Sequence, residues 1–183
     1  MDDIVRQAMA KWPNVPDCYG WLGLDSRGQW WMRDDRAQAL GTFQSGIHGA
    51  KGSVLRHDKL IEFIQRNCEA DALGCWYFQN GPQRVYIELE ATPHIWRIED
   101  DFVVCSHTGT EAHVHKCLMD EKGKVYLCTH LGLGLVHSLD VPKAADALAL
   151  AIWTLEEVVE TDMPAQYGYV MSPQERHKAS QQA

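Results

Sequence analysis

The sequence predicts an α+β fold, mostly antiparallel sheet with hairpins, packed against three helices. Three observations support this class. The apolar fraction of 45% is enough for a hydrophobic core. Turn sequences separate short segments rich in β-formers, and other segments have the apolar spacing of amphipathic helices. At 183 residues, the chain fits one domain or two small ones that share an interface.

Three segments have helical apolar spacing. The first begins near Asp3, whose charge favours the positive end of the helix dipole, and ends at Pro13. The second spans residues 55–68. The third is predicted over residues 144–160, and it has these apolar members: Leu148, Ile152, Trp153 and Leu155.

Turn sequences divide most of the remaining chain into strand pairs. Residues 26–28 separate two β-rich segments, and Asn80 with Gly81 separates two more, which is the strongest short hairpin signal. A further turn over residues 120–123 separates HVHKCLM from KVYLCTH. We therefore expect an N-terminal helix, hairpin and helix domain, a second domain of antiparallel sheet with a C-terminal helix, and a polar, frayed tail. Their predicted ranges are 1–72, 73–171 and 172–183.

Composition and charge exclude several classes of partner. The formal net charge is -8 and the pI is about 5.5, so a phosphate backbone or an anionic membrane surface is repelled. The N-terminus, MDDIVRQAMAKW, lacks the apolar run of a signal peptide, and no run of eighteen apolar residues predicts a membrane span. We expect a cytoplasmic protein whose six cysteines are reduced thiols.

A glycine-rich stretch, residues 41–53, is predicted to be a mobile surface loop. It contains Lys51 and Ser53, but the spacing of a phosphate-binding loop is absent and no apolar strand leads into it. Trp30 and Trp31 are adjacent in a predicted strand and must face opposite sides, so one of them leaves the core of its own domain. We predict a ligand site at the mouth of this loop, formed by these residues: Trp30, Trp31, His48 and Lys51.

The order of elements from Tyr19 to Ile95 resembles that of a known family. The motifs are RGQWW, KLIEFIQRN, and QRVYIELEATPHI. They are similar to family twelve-eighty-five of the domains of unknown function, small two-domain proteins of proteobacteria. Four residues stand at matching places of the family's motifs: Gly28, Trp30, Glu90 and Pro93.

This chain departs from that family by its long glycine-rich loop, which stands in place of a short Gly-Ser-Pro turn. The resemblance implies a two-domain α+β fold with a ligand-sensing role. It carries over no catalytic residue.

Cysteine and histidine are dense between residues 105 and 130, and both are suitable ligands for zinc or a similar transition metal. They recur at steps of two, which places them on one face of a strand. In an antiparallel meander, opposed residues would have Cβ atoms about 5 Å apart, within reach of one ion. The predicted metal ligands form two rows, Cys105/His115/Cys128 and His107/His113/His130.

Other interpretations of these residues stay open. A bulge at Gly123 would slip the third strand by one residue and move Cys128 and His130 to the other face. Buried cysteine also serves as a small hydrophobe, and a histidine on a sheet is often only hydrogen-bonded. Alternatively, Cys105 or Cys128 is a nucleophile with His115 as its base, although no oxyanion hole is marked.

The leading functional hypothesis is a non-enzymatic module that binds a small ligand or a protein in signalling, as a homodimer. Its pocket is expected between the N-terminal hairpin domain and the larger sheet. The alternative is a zinc-type metal-binding protein or a metal-dependent enzyme. A thiol enzyme is the third possibility.

Overall fold

The structure is a computed structural model that describes residues 1–182. A capping side chain marks the start of some helices, as at Asp34, whose carboxylate accepts from the Ala37 N–H. A short 3₁₀ turn over Glu160–Asp162 precedes the fifth helix. The helices are α1 (Asp3–Lys11), α2 (Asp35–Leu40), α3 (Asp58–Arg66), α4 (Val141–Ala149), α5 (Met163–Gln166) and α6 (Pro173–Gln182).

The strands are short and are joined mainly by glycine turns, as predicted at residues 26–28, 80–81 and 120–123. In chain order they are β1 (Cys18–Leu24), β2 (Trp30–Met32), β3 (Ser53–Val54), β4 (Cys68–Ala70), β5 (Trp76–Asn80), β6 (Gln83–Leu89), β7 (His94–Ile98), β8 (Val104–Ser106), β9 (Glu111–Ala112), β10 (Val114–Asp120), β11 (Val125–Thr129), β12 (Gly132–Val136) and β13 (Leu155–Val158).

The chain divides into two compact units. Unit 1 contains residues 1–25 and 29–90 and the chain from Tyr169 onward, and unit 2 contains residues 26–28 and 91–168. The predicted boundary after residue 72 falls inside unit 1, because β5 and β6 belong to the same sheet as β1.

Unit 1 is a six-stranded sheet in the order β3-β2-β1-β6-β5-β4. Helix α3 packs on one face, where the Phe63 ring meets the edge of Phe78 at 5.5 Å between centroids. Helix α6 packs on β1 and β6, and its His177 stacks on Tyr19. The central pair, β1 and β6, is parallel.

Unit 2 is a seven-stranded sheet in the order β13-β10-β11-β12-β7-β8-β9. Two of its pairs are parallel, β12 with β7 and β10 with β13. Its core is apolar and includes Trp96, Ile98, Val104, Cys117, Leu127, Val136 and Ala144.

The α+β class is therefore confirmed, but the sheets are mixed and more than three helices are present. The predicted preponderance of antiparallel pairs was inferred from hairpin turns. Parallel neighbours are joined through long connections, which a turn sequence does not mark. Within residues 1–182, no helix has the length and apolarity needed to span a bilayer.

Two segments have a different secondary structure from the one predicted. The predicted helix over 144–160 ends at Ala149, and Ala151 has a left-handed φ of 56° that turns the chain. Residues 155–158 then form strand β13 instead of continuing the helix. The tail predicted to be frayed from residue 172 contains helix α6.

Candidate functional site

The predicted rows of cysteine and histidine are not formed across the sheet. Strand β8 carries Cys105 and pairs with β7 and β9, while β7, β12 and β11 separate β8 from β10. Cys105 therefore pairs with Arg97 and Glu111 and not with His115. The predicted meander was wrong because β8 is not a neighbour of β10.

The register of β10 against β11 also differs from the predicted one. Met119 pairs with Val125, and Cys128 pairs with Lys116 instead of His115. The turn contains Gly123 at a φ of 78°, and the ladder shifts between Val114 and Lys116. A slip of one residue turns each side chain to the other face, so the predicted opposition of His115 and Cys128 was wrong.

Two histidine pairs remain from the predicted set and its neighbours. The rings of His113 and His130 lie 5.2 Å apart, and the His113 N–H donates to Nδ1 of His130 at 3.1 Å. The rings of His94 and His107 lie 6.4 Å apart. Across residues 1–182, no three Cys, His, Asp or Glu side chains come together in a way that could hold a metal ion. The zinc hypothesis thus lacks a geometric basis.

His107 is partly buried within unit 2, and its ring is fixed by two contacts. Its Nδ1 accepts from the Ile95 N–H at 3.3 Å, and its Cβ lies against Gly28, where an added Cβ would approach to 2.8 Å. Burial, reinforced by the nearby His94, lowers the pKa of His107 to about 3. The ring therefore stays uncharged at neutral pH.

The thiols do not have the environment of a catalytic nucleophile. All six cysteines are free. Burial raises the pKa of each thiol above its ordinary value, to about 11 for Cys75 and Cys117 and to about 12 for Cys68. A nucleophilic cysteine needs the opposite shift, toward the thiolate. The thiol-enzyme hypothesis therefore loses support.

Of the four residues predicted to bind a ligand, the structure brings Trp31 and Lys51 together. Trp30 is 3% exposed and belongs to the core of unit 1, as the opposite orientation of adjacent strand residues requires. His48 is exposed in the glycine-rich loop. The alternation of side chains along a strand separates Trp30 from Trp31. The sequence shows this alternation but does not show which of the two side chains is buried.

Lys51 is the centre of a small cluster of charged and aromatic groups. Its ammonium lies 2.6 Å from Oε1 of Glu90, and both side chains are less than a third exposed. The same ammonium lies 5.7 Å from the Trp31 ring centre and 5.5 Å from that of Phe43. We call these four residues, together with Asp25, the Lys51 cluster.

Asp25 fixes the orientation of the indole in this cluster. Its buried carboxylate accepts from Nε1 of Trp31 at 2.9 Å and from the Gln29 N–H at 2.8 Å. On the opposing strand, Gly23 pairs with Trp31. A Cβ on Gly23 would come within 2.5 Å of the Phe43 ring. Glycine at this position therefore allows Phe43 to pack against the sheet.

The glycine-rich loop is held at both ends, unlike the mobile loop that was predicted. Arg33 is 1% exposed. Its guanidinium donates to the carbonyl oxygens of Gly41 at 2.5 Å and Ala50 at 2.8 Å. Between them, the Gln44 amide donates to the carbonyl oxygens of Leu89 and Met171, each at 2.9 Å. The loop therefore presents Lys51 from a fixed backbone.

Sequence reasoning missed the face of unit 1 that α6 covers. Glu88 is fully buried there and accepts from the Ser172 hydroxyl at 2.5 Å and the Gln174 N–H at 3.0 Å. Burial raises the pKa of this carboxyl. The Tyr19 ring is stacked between Tyr86 at 4.5 Å and His177 at 4.1 Å. The polar composition of α6 gave no apolar signal for this docking.

Comparisons with known proteins found families of unknown function. The sequence model of DUF2944, described as "Protein of unknown function (DUF2946)", matches residues 1–174. A solved structure of a DUF1285 family protein from Silicibacter pomeroyi DSS-3 is similar, with a TM-score of 0.49 and 11% identity over 80% of this chain and 84% of that one. The resemblance predicted from the sequence was to this second family. No curated protein matches the chain significantly.

Proposed function

We propose that this chain, which belongs to the DUF2944 family of proteins of unknown function, is a non-enzymatic module that binds a small ligand at the Lys51 cluster. The observation that supports the proposal is the set of contacts around the Lys51 ammonium. This ammonium has three N–H donors, lies beside two aromatic rings, and has its salt bridge directed to Glu90 alone among residues 1–182.

The charges of the cluster indicate the class of ligand. Glu90 neutralises Lys51, and Asp25 is engaged by the indole and a backbone amide. An anion therefore meets no net positive charge, whereas an uncharged acceptor such as a carbonyl or hydroxyl oxygen is suited to the remaining ammonium donors. The Trp31 and Phe43 rings favour a planar apolar body. The ligand is accordingly a small, uncharged aromatic molecule with an oxygen acceptor.

The fold supports binding more than catalysis. Arg33 and Gln44 hold the loop, so the cluster is pre-organised and little ordering is needed when a ligand arrives. The thiols have raised pKa values, and the cluster carries no nucleophile paired with a base. The homodimer, the protein partner and the cytoplasmic location stay predictions from the sequence.

Substitution of Lys51 by methionine tests the proposal, because it removes the donors and keeps most of the apolar stem. We expect benzamide, measured by isothermal titration, to bind the native protein and to bind Lys51→Met about tenfold more weakly or worse, as the loss of a charge-assisted hydrogen bond implies. Benzoate, which has the same ring and a negative charge, is expected to bind more weakly than benzamide.

Lys59→Met is the matched control, since Lys59 is an exposed lysine on α3. It should bind benzamide as the native protein does. Equal loss in Lys51→Met and Lys59→Met, or no binding of benzamide to the native protein, would contradict the proposal. The melting temperature of both variants shows whether the loop has stayed in place.

A further inference from the structure

Helix α6 is docked almost without apolar burial. Pro173 is buried, Gln174 and His177 are partly buried, and the rest of the helix is exposed. Its contacts with the sheet are polar or aromatic. Because a free helix of about ten residues is marginal in water, α6 depends on these few contacts to keep its place.

His177 occupies a position that a flat ring fills. Its imidazole lies parallel to Tyr19, with 8° between the planes, and Tyr86 supports the other side of Tyr19 at 5°. Tyr86 is itself fixed, since its hydroxyl donates to Asp71 at 3.1 Å. We call the face of the Tyr19 ring that His177 covers the Tyr19 slot. It is a rigid stacking surface whose present occupant is a nitrogen heterocycle.

Hydrogen-bonding groups lie against Gly20, the residue that follows Tyr19 in the chain. Gly20 has a left-handed φ of 80°, and the ladder of β1 against β6 shifts between Cys18 and Leu22. As a result the backbone of Gly20 meets the amide pair of Gln38 and Gln174, and a Cβ there would overlap Nε2 of Gln174. Nε2 of Gln174 donates to Oε1 of Gln38 at 2.7 Å.

One donor of this amide pair has no acceptor. Within residues 1–182, Nε2 of Gln38 is buried and has no hydrogen-bond partner. A buried donor without an acceptor destabilises a protein, so its persistence points to a group that is supplied from outside.

We propose that the Tyr19 slot is a binding site for a small planar nitrogen heterocycle, and that His177 on α6 is its built-in competitor. The ligand ring stacks on Tyr19 in place of the imidazole, and one of its ring nitrogens or carbonyl oxygens accepts from Gln38. Displacement of His177 removes one contact of α6 while Ser172 and Gln174 stay bonded to Glu88, which couples occupancy of the slot to the stability of the end of the C-terminal helix. This site is separate from the Lys51 cluster.

The test uses the full chain with His177→Ala, which removes the competitor and leaves the slot open. Adenine is the probe, because it is flat and has both donors and ring acceptors. We expect adenine to bind His177→Ala roughly two- to tenfold more tightly than the native protein, the factor that a single ring stack accounts for. Resonances of the Tyr19 ring, followed by NMR with labelled tyrosine, should shift as adenine is added.

Lys178→Ala is the matched control on the same helix, because Lys178 is exposed and, among the described residues, forms a salt bridge only with Glu175. It should bind adenine as the native protein does. Gln38→Leu, introduced into His177→Ala, should weaken binding two- to tenfold by removing the donor. Benzamide should leave the Tyr19 resonances unshifted, which distinguishes this site from the Lys51 cluster.

Three results would overturn the proposal. The first is that His177→Ala binds adenine no better than Lys178→Ala does. The second is that the Tyr19 resonances do not shift while adenine binds. The third is that adenine still binds after Tyr19→Leu is introduced into the His177→Ala protein. Amide exchange of residues 174–182 in His177→Ala and in Lys178→Ala shows whether α6 stays folded in each variant, so that a lost helix is not mistaken for a lost ligand.

Discussion

At the scale of single residues, burial decides which titratable groups keep a charge. In unit 2, His94 is buried and His107 is partly buried, and desolvation lowers the pKa of each. The His94 ring stacks on Trp96 at 5.0 Å, and its Nε2 donates to the Leu131 carbonyl at 3.0 Å. His107, which the sequence predicted as a metal ligand, and its neighbour His94 thus contribute to packing within unit 2.

The shifted pKa of His107 predicts a loss of stability in acid. Unfolded histidine titrates near 6.5, whereas folded His107 titrates at about 3. Between these values the unfolded state binds more protons, so the free energy of unfolding falls as the pH falls. The contribution is complete above about pH 6.5. The slope for one histidine is at most about 1.4 kcal/mol per pH unit.

His107→Gln tests this prediction, since glutamine still offers an acceptor to the Ile95 N–H. Urea unfolding between pH 3 and pH 7 should give a shallower pH dependence than in the native protein, by up to one proton. His48→Gln, at an exposed loop position, is the control and should keep the native slope. If the two variants have the same slope, the ring of His107 is not protected from protonation.

At the scale of elements, local signals predicted more than long-range ones. The hairpin turns at residues 26–28 and 80–81 stand where glycine and asparagine marked them. The position of β8 in its sheet was missed, because strand order depends on packing of distant segments. The end of α4 was missed because Leu148, Ile152 and Leu155 fit a helical stripe as well as a turn and an edge strand.

In the candidate sites too, local features were predicted and contacts between distant residues were not. The parity of Trp30 and Trp31 was visible in the sequence and correctly implied that one leaves the core. The partners of Lys51 were not visible, since Glu90 lies 39 residues further along the chain. Helix α6 was missed because polar contacts and ring stacking leave no periodic apolar pattern.

The docking of α6 depends on Glu88, which predicts a local effect of its loss. Both oxygens of this buried carboxylate are used at the start of the helix, by Ser172 and Gln174. Glu88→Leu leaves those donors without an acceptor, at about 1–3 kcal/mol each where they stay buried. We expect the backbone amides of residues 174–182 to exchange at least tenfold faster with solvent, with little change in unit 2.

Glu88→Gln is the graded comparison, because its amide keeps one acceptor oxygen. It should give exchange rates between those of the native protein and Glu88→Leu. Protection of α6 that is unchanged in Glu88→Leu would mean that the helix is held by Tyr19 and Gln38 alone.

At the scale of the whole molecule, unit 2 is inserted into unit 1. Apart from the turn at residues 26–28, the chain leaves unit 1 after Glu90 and returns at Tyr169. The two crossing points lie side by side within unit 1, since the Leu89 N–H donates to the Met171 carbonyl at 2.8 Å. Residues 91–168 can therefore fold without closing a long loop, whereas unit 1 has to bring the two ends of this insertion together.

This insertion predicts that unit 1 folds alone when residues 91–168 are replaced by a short Gly-Ser linker. The closing bond between Leu89 and Met171 sets a span that a few residues cover, and about 100 residues is an ordinary size for an independent domain. Its buried residues include Leu24, Ile87 and Leu89, which give it a core of its own. We expect a single cooperative urea transition and a dispersed amide spectrum. A gradual transition with collapsed amide dispersion would show instead that β1 and β6 need unit 2 to pair, and that the two units form one cooperative structure.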